Sequence, residues 1–213
     1  AERAYKGGLQ WQASWAWSRD IGDVENAAGI EDSFNRARER GVMQDIPTHR
    51  VTGNAIYELP FGKGKKWGGN PATWNDLLIG GWSVSVIYQY STGDFLTAAW
   101  TGPDPTGTRF TQSRTPAQVT LRPDQIRQPN LPPGERTLAR YFDTGAFTAP
   151  RAGFFGTAAR GTIIGPSAHV WNAGVFKVFP IAERARLRWE MVAQNVMNHP
   201  NWGFPITNIT DAS

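Results

Sequence analysis

The chain contains no cysteine, so a disulfide framework and thiolate metal sites are excluded. Long hydrophobic runs are missing as well, because no stretch approaches the roughly 18 apolar residues that a membrane-spanning helix needs. Only 40% of the residues are hydrophobic, and the mean hydropathy is −0.44. These absences argue against a helical membrane protein. They leave a membrane β-barrel open, because half of each barrel strand is polar.

Concentrated positive charge, which a nucleic-acid-binding protein carries on one face, is also lacking. The net charge is +4 and the pI is near 9.6, but lysine and arginine are scattered along the chain. Short local basic groups lie at residues 63–66 and 184–188. We therefore expect no nucleic-acid partner.

Catalytic motifs are missing too. No serine lies in a Gly-x-Ser-x-Gly elbow, and no glycine-rich loop matches a phosphate cradle. His49, His169 and His199 have no partner at a metal-ligand spacing. The carboxylates of residues 20–32 lie close to the arginine-rich run 36–40, and this pattern predicts solvated charge. We expect no enzymatic activity, no cofactor and no metal site.

What the chain does contain is five stretches in which apolar and polar residues alternate. A period of two predicts β-strands, here over residues 8–19, 49–59, 80–91, 170–179 and 185–197. In the clearest stretch, Trp82, Val84 and Val86 share one face, and Ile87 is the exception on the other. Aromatic residues concentrate on the apolar face, and the opposite face is mostly small, hydroxylic or amide. This combination suits strands with lipid on one side and a wet lumen on the other.

The two faces can be assigned residue by residue. The residues predicted to face lipid are Leu9, Trp11, Trp15, Trp17, Val51, Tyr57, Trp82, Val84, Val86, Tyr88, Tyr90, Trp171, Val175, Leu187, Trp189 and Met191. The charged residues predicted to face the lumen are Arg50, Glu58, Arg186, Arg188 and Glu190. For these charges, ordinary cross-strand pairing is favoured over direct contact with a substrate.

The segments between the strands alternate between long and short. Residues 20–47 and 92–168 are long, and the second holds nine of the 15 prolines. The turns near Gly62 and Ala182 are short. A barrel with extended outer loops and tight periplasmic turns shows this alternation. Four aromatic residues of the second loop are candidates for contact with an external ligand: Trp100, Phe110, Tyr141 and Phe142. Packing within the loop is an equal alternative for them.

A series of short motifs runs in order through nearly the whole chain. They are residues 57–65 (YELPFGKGK), 80–84 (GGWSV), 90–93 (YSTG), 142–147 (FDTGAF), 153–157 (GFFGT), 165–166 (GP), 171–177 (WNAGVFK) and 198–203 (NHPNWG). No single motif is specific. Together, in this order, they closely resemble the carboxy-terminal barrel region of TonB-dependent outer-membrane receptors. The nearest resemblance is to the Oar-like proteins, which carry an amino-terminal carboxypeptidase-regulatory-like domain.

The resemblance implies an all-β fold, in which antiparallel strands form part of a large transmembrane β-barrel with long extracellular loops. Such receptors are 22-stranded barrels with a plugged lumen. They bind a nutrient or metal complex and import it with energy from the inner membrane. No plug and no TonB-contacting segment is recognisable, and the chain starts without methionine, so we expect a fragment of about five strands. The implied partners are outer-membrane lipid, the plug and TonB system of the parent protein, and an unidentified small-molecule or peptide substrate.

Two other functions remain open from the sequence. An outer-membrane barrel for surface binding or adhesion, without import, would use the same strands and loops. A soluble β-sandwich carbohydrate-binding module would bury the same alternating apolar faces in its core.

Overall fold

The computed structural model describes residues 2–23, 30–32, 34–44, 46–67, 73–107, 121–182 and 185–211. The strands, in chain order, are β1 (Glu2–Lys6), β2 (Leu9–Trp17), β3 (Ile21–Gly22), β4 (Gly41–Val42), β5 (His49–Glu58), β6 (Trp82–Ser91), β7 (Phe95–Leu96), β8 (Asp124–Gln125), β9 (Phe147–Thr148), β10 (Ile163–Ile164), β11 (Ala168–Ala182) and β12 (Ala185–Ala193). One α-helix, α1, covers Thr73–Ile79. Short 3-10 turns lie at Arg36–Glu39, Pro133–Glu135, Thr144–Ala146 and Ile209–Asp211.

The main element is an open antiparallel sheet of six strands in the order β1-β2-β5-β6-β11-β12. The predicted all-β antiparallel fold is confirmed. The other sheets in the described part of the chain have two strands each. A β-sandwich needs two packed sheets, so the structure does not support the sandwich alternative.

The sheet has a strand that the sequence prediction missed. Strand β1 pairs with β2 through a two-residue turn at Gly7 and Gly8, which have φ of 63° and 87°. Two consecutive positive φ angles match the hairpin turn that follows the twist of antiparallel strands. The run Glu2–Lys6 carries three charged residues, so hydrophobic alternation alone does not reveal it.

The last two strands differ from their predicted bounds. Strand β11 continues to Ala182, three residues beyond the predicted end, and Pro180 is paired with Arg186 of β12. Proline is tolerated there because the pairing of β11 with β6 ends at Lys177, so no ladder bond is lost on that side. Strand β12 ends at Ala193 rather than at residue 197. Asn195 and Asn198 follow it with positive φ, which ends the extended backbone.

The chain forms two compact units. The first, which we call the wall unit, contains the six-stranded sheet and comprises residues 1–17, 49–91 and 168–201. In it, Trp17 pairs with His49, and Ser91 pairs with both Arg50 and Ala168. The strand ends that adjoin the two long connecting segments therefore lie side by side. We call this the loop end of the sheet. The opposite end, with the β11–β12 hairpin turn and helix α1, is the turn end.

The second unit, which we call the loop unit, comprises residues 18–48, 92–167 and 202–213. Three two-stranded sheets form its regular structure: β3 with β4, β7 with β10, and β8 with β9. Its hydrophobic core consists of Leu96, Ala98, Phe142, Ala146, Phe147, Ala158 and Ile163. The segment 92–168, predicted as a long loop, thus holds a folded hydrophobic core. Its strands have only two residues each, too short for the period-two signal.

Candidate functional site

The strand register gives the sheet two chemically different faces. Residues paired directly across an antiparallel sheet point to the same side. The register Leu9–Tyr57–Val84–Val175–Met191 runs across five strands, and the remaining residues predicted to face lipid fall on this same side. All five charged residues predicted to face the lumen fall on the opposite side. We call these the aromatic face and the polar face.

Aromatic rings on the aromatic face concentrate towards its two ends. At the turn end, Trp82 and Trp189 meet edge to face with ring centroids 5.9 Å apart. Towards the loop end, Tyr88 packs on Trp171 at 4.2 Å, and Tyr90 follows two residues later. Trp82 and Tyr90 are eight residues apart, which is about 27 Å along a strand at ~3.4 Å per residue. With the usual tilt of barrel strands near 40°, the height becomes roughly 20 Å, close to the apolar band of a membrane barrel.

Lys177 lies on the aromatic face, and the structure shows why it is tolerated there. The side chain of Lys177 is 3% exposed, and its Nζ lies 4.7 Å from the ring centroid of Trp82 and 5.0 Å from that of Phe179. The ammonium group donates hydrogen bonds to the main-chain oxygens of Leu78, in the last turn of helix α1, and of Gly80, which directly follows the helix. A cation beside the last carbonyls of a helix satisfies acceptors that have no partner within the helix.

We predict that Lys177→Met loosens the end of helix α1. Methionine fills similar space but leaves the carbonyls of Leu78 and Gly80 without their charged donor. The hydrogen exchange of residues 77–82 should become about tenfold to a hundredfold faster, because a hydrogen bond to a charged group contributes roughly 1.5–3 kcal/mol. Arg188→Met, on an exposed position of β12, is the control. Equal exchange in both variants would contradict the assigned role.

The charged residues of the polar face are only partly paired with one another. Arg188 and Glu190 form an ion pair of 3.2 Å along strand β12. Glu58 instead pairs with Lys65 of the following turn at 2.7 Å. Within the part of the chain that the structure describes, no ion pair is found for Arg50. The two ion pairs run along one strand and into a turn, and cross-strand pairing at the other positions stays a prediction.

Arg50 lines a groove on the polar face at the loop end of the sheet. The groove has a volume of about 440 Å³, and its lining residues are Arg50, Thr52, Gln89, Tyr90, Ser91, Ala168 and Val170. Among the described residues that line this groove from the polar face, Arg50 alone has an ionisable side chain. Hydroxyl and amide groups around a single guanidinium can bind a polar or anionic molecule through hydrogen bonds.

The structure favours packing within the loop unit for three of the four aromatic residues proposed as ligand contacts. Phe142 is 4% exposed in the core and meets Phe147 edge to face. Tyr141 packs against this core, and its hydroxyl accepts a hydrogen bond from Arg136. Trp100 donates from Nε1 to the oxygen of Pro103. Phe110 lies outside the described residues.

A buried ionic cluster lies in the loop unit. Its members are Glu31, Arg38, Glu39, Arg122 and Arg160, and all but Arg38 are at most 4% exposed. Arg122 joins the two carboxylates, since its Nη2 is 2.9 Å from an oxygen of Glu31 and 2.9 Å from one of Glu39. Arg160 reaches the second oxygen of Glu39 at 2.7 Å. Arg38 donates to Glu31 at 2.8 Å.

The prediction of solvated charge was wrong for Glu31, which is buried beside Glu39. Arg122 and Arg160 lie 83 and 121 residues after Glu39, so no local sequence pattern predicts the cluster. Burying these charges is tolerated only because each carboxylate accepts several hydrogen bonds from arginine. The cluster fixes residues 31–39 to residues 122 and 160, and so defines the shape of the loop unit.

Asp143 gives the loop unit a predicted dependence on pH. The hydrogen bond from Arg127 Nε, 2.8 Å from Asp143 Oδ2, and the charges of Arg127 and Arg140 lower the pKa of this carboxyl below 3.8, against the opposing effect of burial. The carboxyl of Asp143 therefore binds a proton more readily in the unfolded chain than in the folded one. Its ionised form stabilises the folded loop unit above pH 3.8, and this stabilisation is lost as the pH falls through the lowered pKa.

In Asp143→Asn, the melting temperature of the loop unit should therefore fall less steeply between pH 6 and pH 3 than in the wild type. Arg127→Gln should flatten the same profile, because it removes the strongest partner of Asp143. Because Arg127 is half exposed, a modest effect is expected. Parallel profiles in all three proteins would contradict this linkage.

His169 and His199 lie near each other, with ring centroids 5.2 Å apart, whereas His49 stacks on Trp15. Among the described residues, no group of three or more histidine, aspartate or glutamate side chains could hold a metal ion. None of the described helices is both long and apolar enough to cross a membrane.

Comparison with known proteins agrees with this geometry. A family model described as an outer membrane beta barrel domain matches residues 1–213. Neither the curated proteins nor the solved structures give a significant match. The match confirms the predicted outer-membrane barrel and its location in the outer membrane. The chain therefore belongs to the family of outer membrane beta barrel domains.

Proposed function

We propose that this chain is part of a TonB-dependent receptor that binds a nutrient or metal complex at the cell surface and imports it. The ordered series of motifs between residues 57 and 203 supports this subtype. The open sheet also supports it, because six strands leave two unpaired edges among the described residues. A receptor barrel with many further strands would use both edges.

The polar face is the observation that carries the proposal. A transport path needs a wall with polar groups that can bind a hydrated solute weakly and release it. Serine, threonine, asparagine and glutamine dominate this face in β2, β5 and β6, and Arg50 supplies a cation in the groove at the loop end. Long loops of outer-membrane barrels are extracellular, so on this proposal the groove lies on the side from which a solute arrives.

The loop unit supports a receptor rather than a simple pore. Its core and its buried ionic cluster give the long extracellular segments a fixed shape. Binding sites are usually largely formed before the ligand arrives, because ordering a loop on binding costs free energy. The proposed role is not enzymatic and needs no bound cofactor. It does need a plug, an energy-coupling complex and an unidentified substrate.

Import can be tested in the bacterium that encodes the chain. Deleting the parent gene, or deleting the gene for TonB, should abolish uptake of the same compound. The measurement is mass spectrometry of the growth medium over time under nutrient limitation. A chromosomal Arg50→Gln variant should slow this uptake, while Arg136→Gln in the loop unit serves as the control.

The second candidate function is surface binding or adhesion without import. The exposed loop unit alone would be sufficient for it. In that case, deletion of the parent gene would leave the depletion of every compound unchanged and would reduce attachment to surfaces. That outcome would contradict the import proposal and favour adhesion.

A further inference from the structure

An exposed apolar and basic patch lies at the turn end of the wall unit. We call it the turn-end patch, and its members are Phe61, Lys63, Lys66, Trp67, Leu77, Leu78 and Ile79. The five apolar side chains are between 38% and 63% exposed. Leu77, Leu78 and Ile79 are consecutive residues at the end of helix α1, and such a concentration of exposed apolar surface marks an interaction site.

The patch is held in place by contacts on three sides. Asp76 of helix α1 accepts a hydrogen bond from the main-chain nitrogen of Lys63 at 2.6 Å, which ties the basic turn to the helix. Trp82 donates from Nε1 to the oxygen of Leu78 at 2.8 Å. Lys177 binds the same oxygen and that of Gly80. Gly81, with a φ of 71°, ends the helix in the left-handed region. The exposed apolar residues therefore lie on a turn and a helix end that these hydrogen bonds hold in place.

The charge of the patch is positive. Lys65 is neutralised by Glu58 at 2.7 Å, and the carboxylate of Asp76 is occupied by the main chain of the turn. Lys63 and Lys66 are exposed, and neither has an ion pair within the described ranges. Lys66 lies 5.9 Å from the ring centroid of Trp67, so this cation is held beside an apolar surface. Paired lysines beside exposed aromatic and aliphatic residues match the chemistry of an anionic amphiphile.

The position of the patch identifies which amphiphile it meets. Outer-membrane barrels have long extracellular loops and short periplasmic turns, so the loop end faces the cell exterior and the turn end faces the periplasm. The patch is continuous with the aromatic face through Trp82, which contacts both Leu78 and Trp189. It therefore lies where the acyl chains of the periplasmic leaflet meet their phosphate headgroups.

We propose that the turn-end patch is a binding site for an anionic phospholipid of the periplasmic leaflet. Lys63 and Lys66 bind the headgroup phosphate, and Trp67, Leu77 and Leu78 pack against the upper part of an acyl chain. The site anchors the barrel wall at a fixed depth, and it is independent of import. A periplasmic protein that covered the same surface would make these residues inaccessible to lipid.

The test uses the full chain reconstituted into phosphatidylcholine vesicles. Brominated lipid, either phosphatidylglycerol or phosphatidylcholine at the same mole fraction, quenches nearby tryptophans. The contribution of Trp67 is the difference between the wild type and Trp67→Phe, and the other nine tryptophans report insertion. One basic side chain near an anionic surface is worth about 1 kcal/mol, or roughly fivefold. Brominated phosphatidylglycerol should therefore bind near Trp67 roughly 5- to 25-fold more strongly than brominated phosphatidylcholine.

Matched variants identify the source of the preference. Lys63→Gln with Lys66→Gln should make the two lipids equal, and Lys63→Arg with Lys66→Arg should preserve the preference. Arg19→Gln with Arg40→Gln removes the same charge from exposed positions of the loop unit and should change nothing. The proposal is overturned if Trp67 is quenched equally by both lipids. It is also overturned if Trp67 is not quenched while the other tryptophans are, the result expected when a protein partner covers the patch.

Discussion

Glu39→Gln is expected to destabilise the loop unit by about 3–5 kcal/mol, a large part of the stability of an ordinary domain. Glu39 is fully buried and lies between Arg122 and Arg160, with distances of 2.9 and 2.7 Å to their guanidinium groups. Glutamine keeps the shape of the side chain but removes its charge. The buried guanidinium groups of Arg122 and Arg160 then each lose a counter-charge, and Arg122 retains that of Glu31.

The measurement is hydrogen exchange of residues 31–43, 121–131 and 157–163 at neutral pH. Protection in all three segments should fall together, because the cluster joins them. Asp23→Asn is the matched control: it breaks the exposed ion pair with Arg36, in which both side chains are nearly half exposed. A change within about 0.5 kcal/mol is expected for the control. If Glu39→Gln changed protection no more than Asp23→Asn, the cluster would not hold the loop unit together.

The sequence predicted five of the six strands of the wall but not the folded core of the loops, and the difference is physical. Strand β6 alternates over residues 82–91 because each of its faces meets a different environment, so the pattern is visible in ten residues. The pairing of β2 with β5 and of β5 with β6 follows from chain order. In the loop unit, by contrast, Glu31 binds Arg122, which is 91 residues away in the sequence. A contact between such distant residues produces no periodic pattern in the sequence.

Single residues that broke the pattern proved informative. Lys177 interrupts the aromatic face, and the structure gives it acceptors on helix α1 and two aromatic rings. The sequence shows the exception but not the partner, because Leu78 is 99 residues away.

Strand β1 differs from Lys177, because here a local sequence signal was present. The Gly7-Gly8 pair between two short runs is a hairpin signal, and it was the feature from which this strand could have been predicted.

Val86→Arg and Ile87→Arg form a matched pair that tests which face of the sheet meets lipid. The two residues are neighbours at the centre of strand β6, they are 37% and 45% exposed, and the register places them on opposite faces. Val86 pairs with Ala55 and Ala173 on the aromatic face, whereas Ile87 pairs with Asn54 and Asn172 on the polar face. Size, strand position and added charge are therefore the same in both variants, and only the environment differs.

We expect Val86→Arg to destabilise the chain in phospholipid vesicles by about 2–4 kcal/mol, because arginine on the lipid face near the bilayer centre loses its hydration. This corresponds to a change of roughly 30- to 1,000-fold in the folding equilibrium. Ile87→Arg should change stability by less than about 1 kcal/mol, since its guanidinium would enter a wet lumen beside two asparagines. The measurement is guanidinium unfolding in vesicles, followed by tryptophan fluorescence. The reverse order of the two variants would exchange the lipid and lumen assignments. Polar residues would then line the lipid side, and the groove at Arg50 would lie outside any transport path.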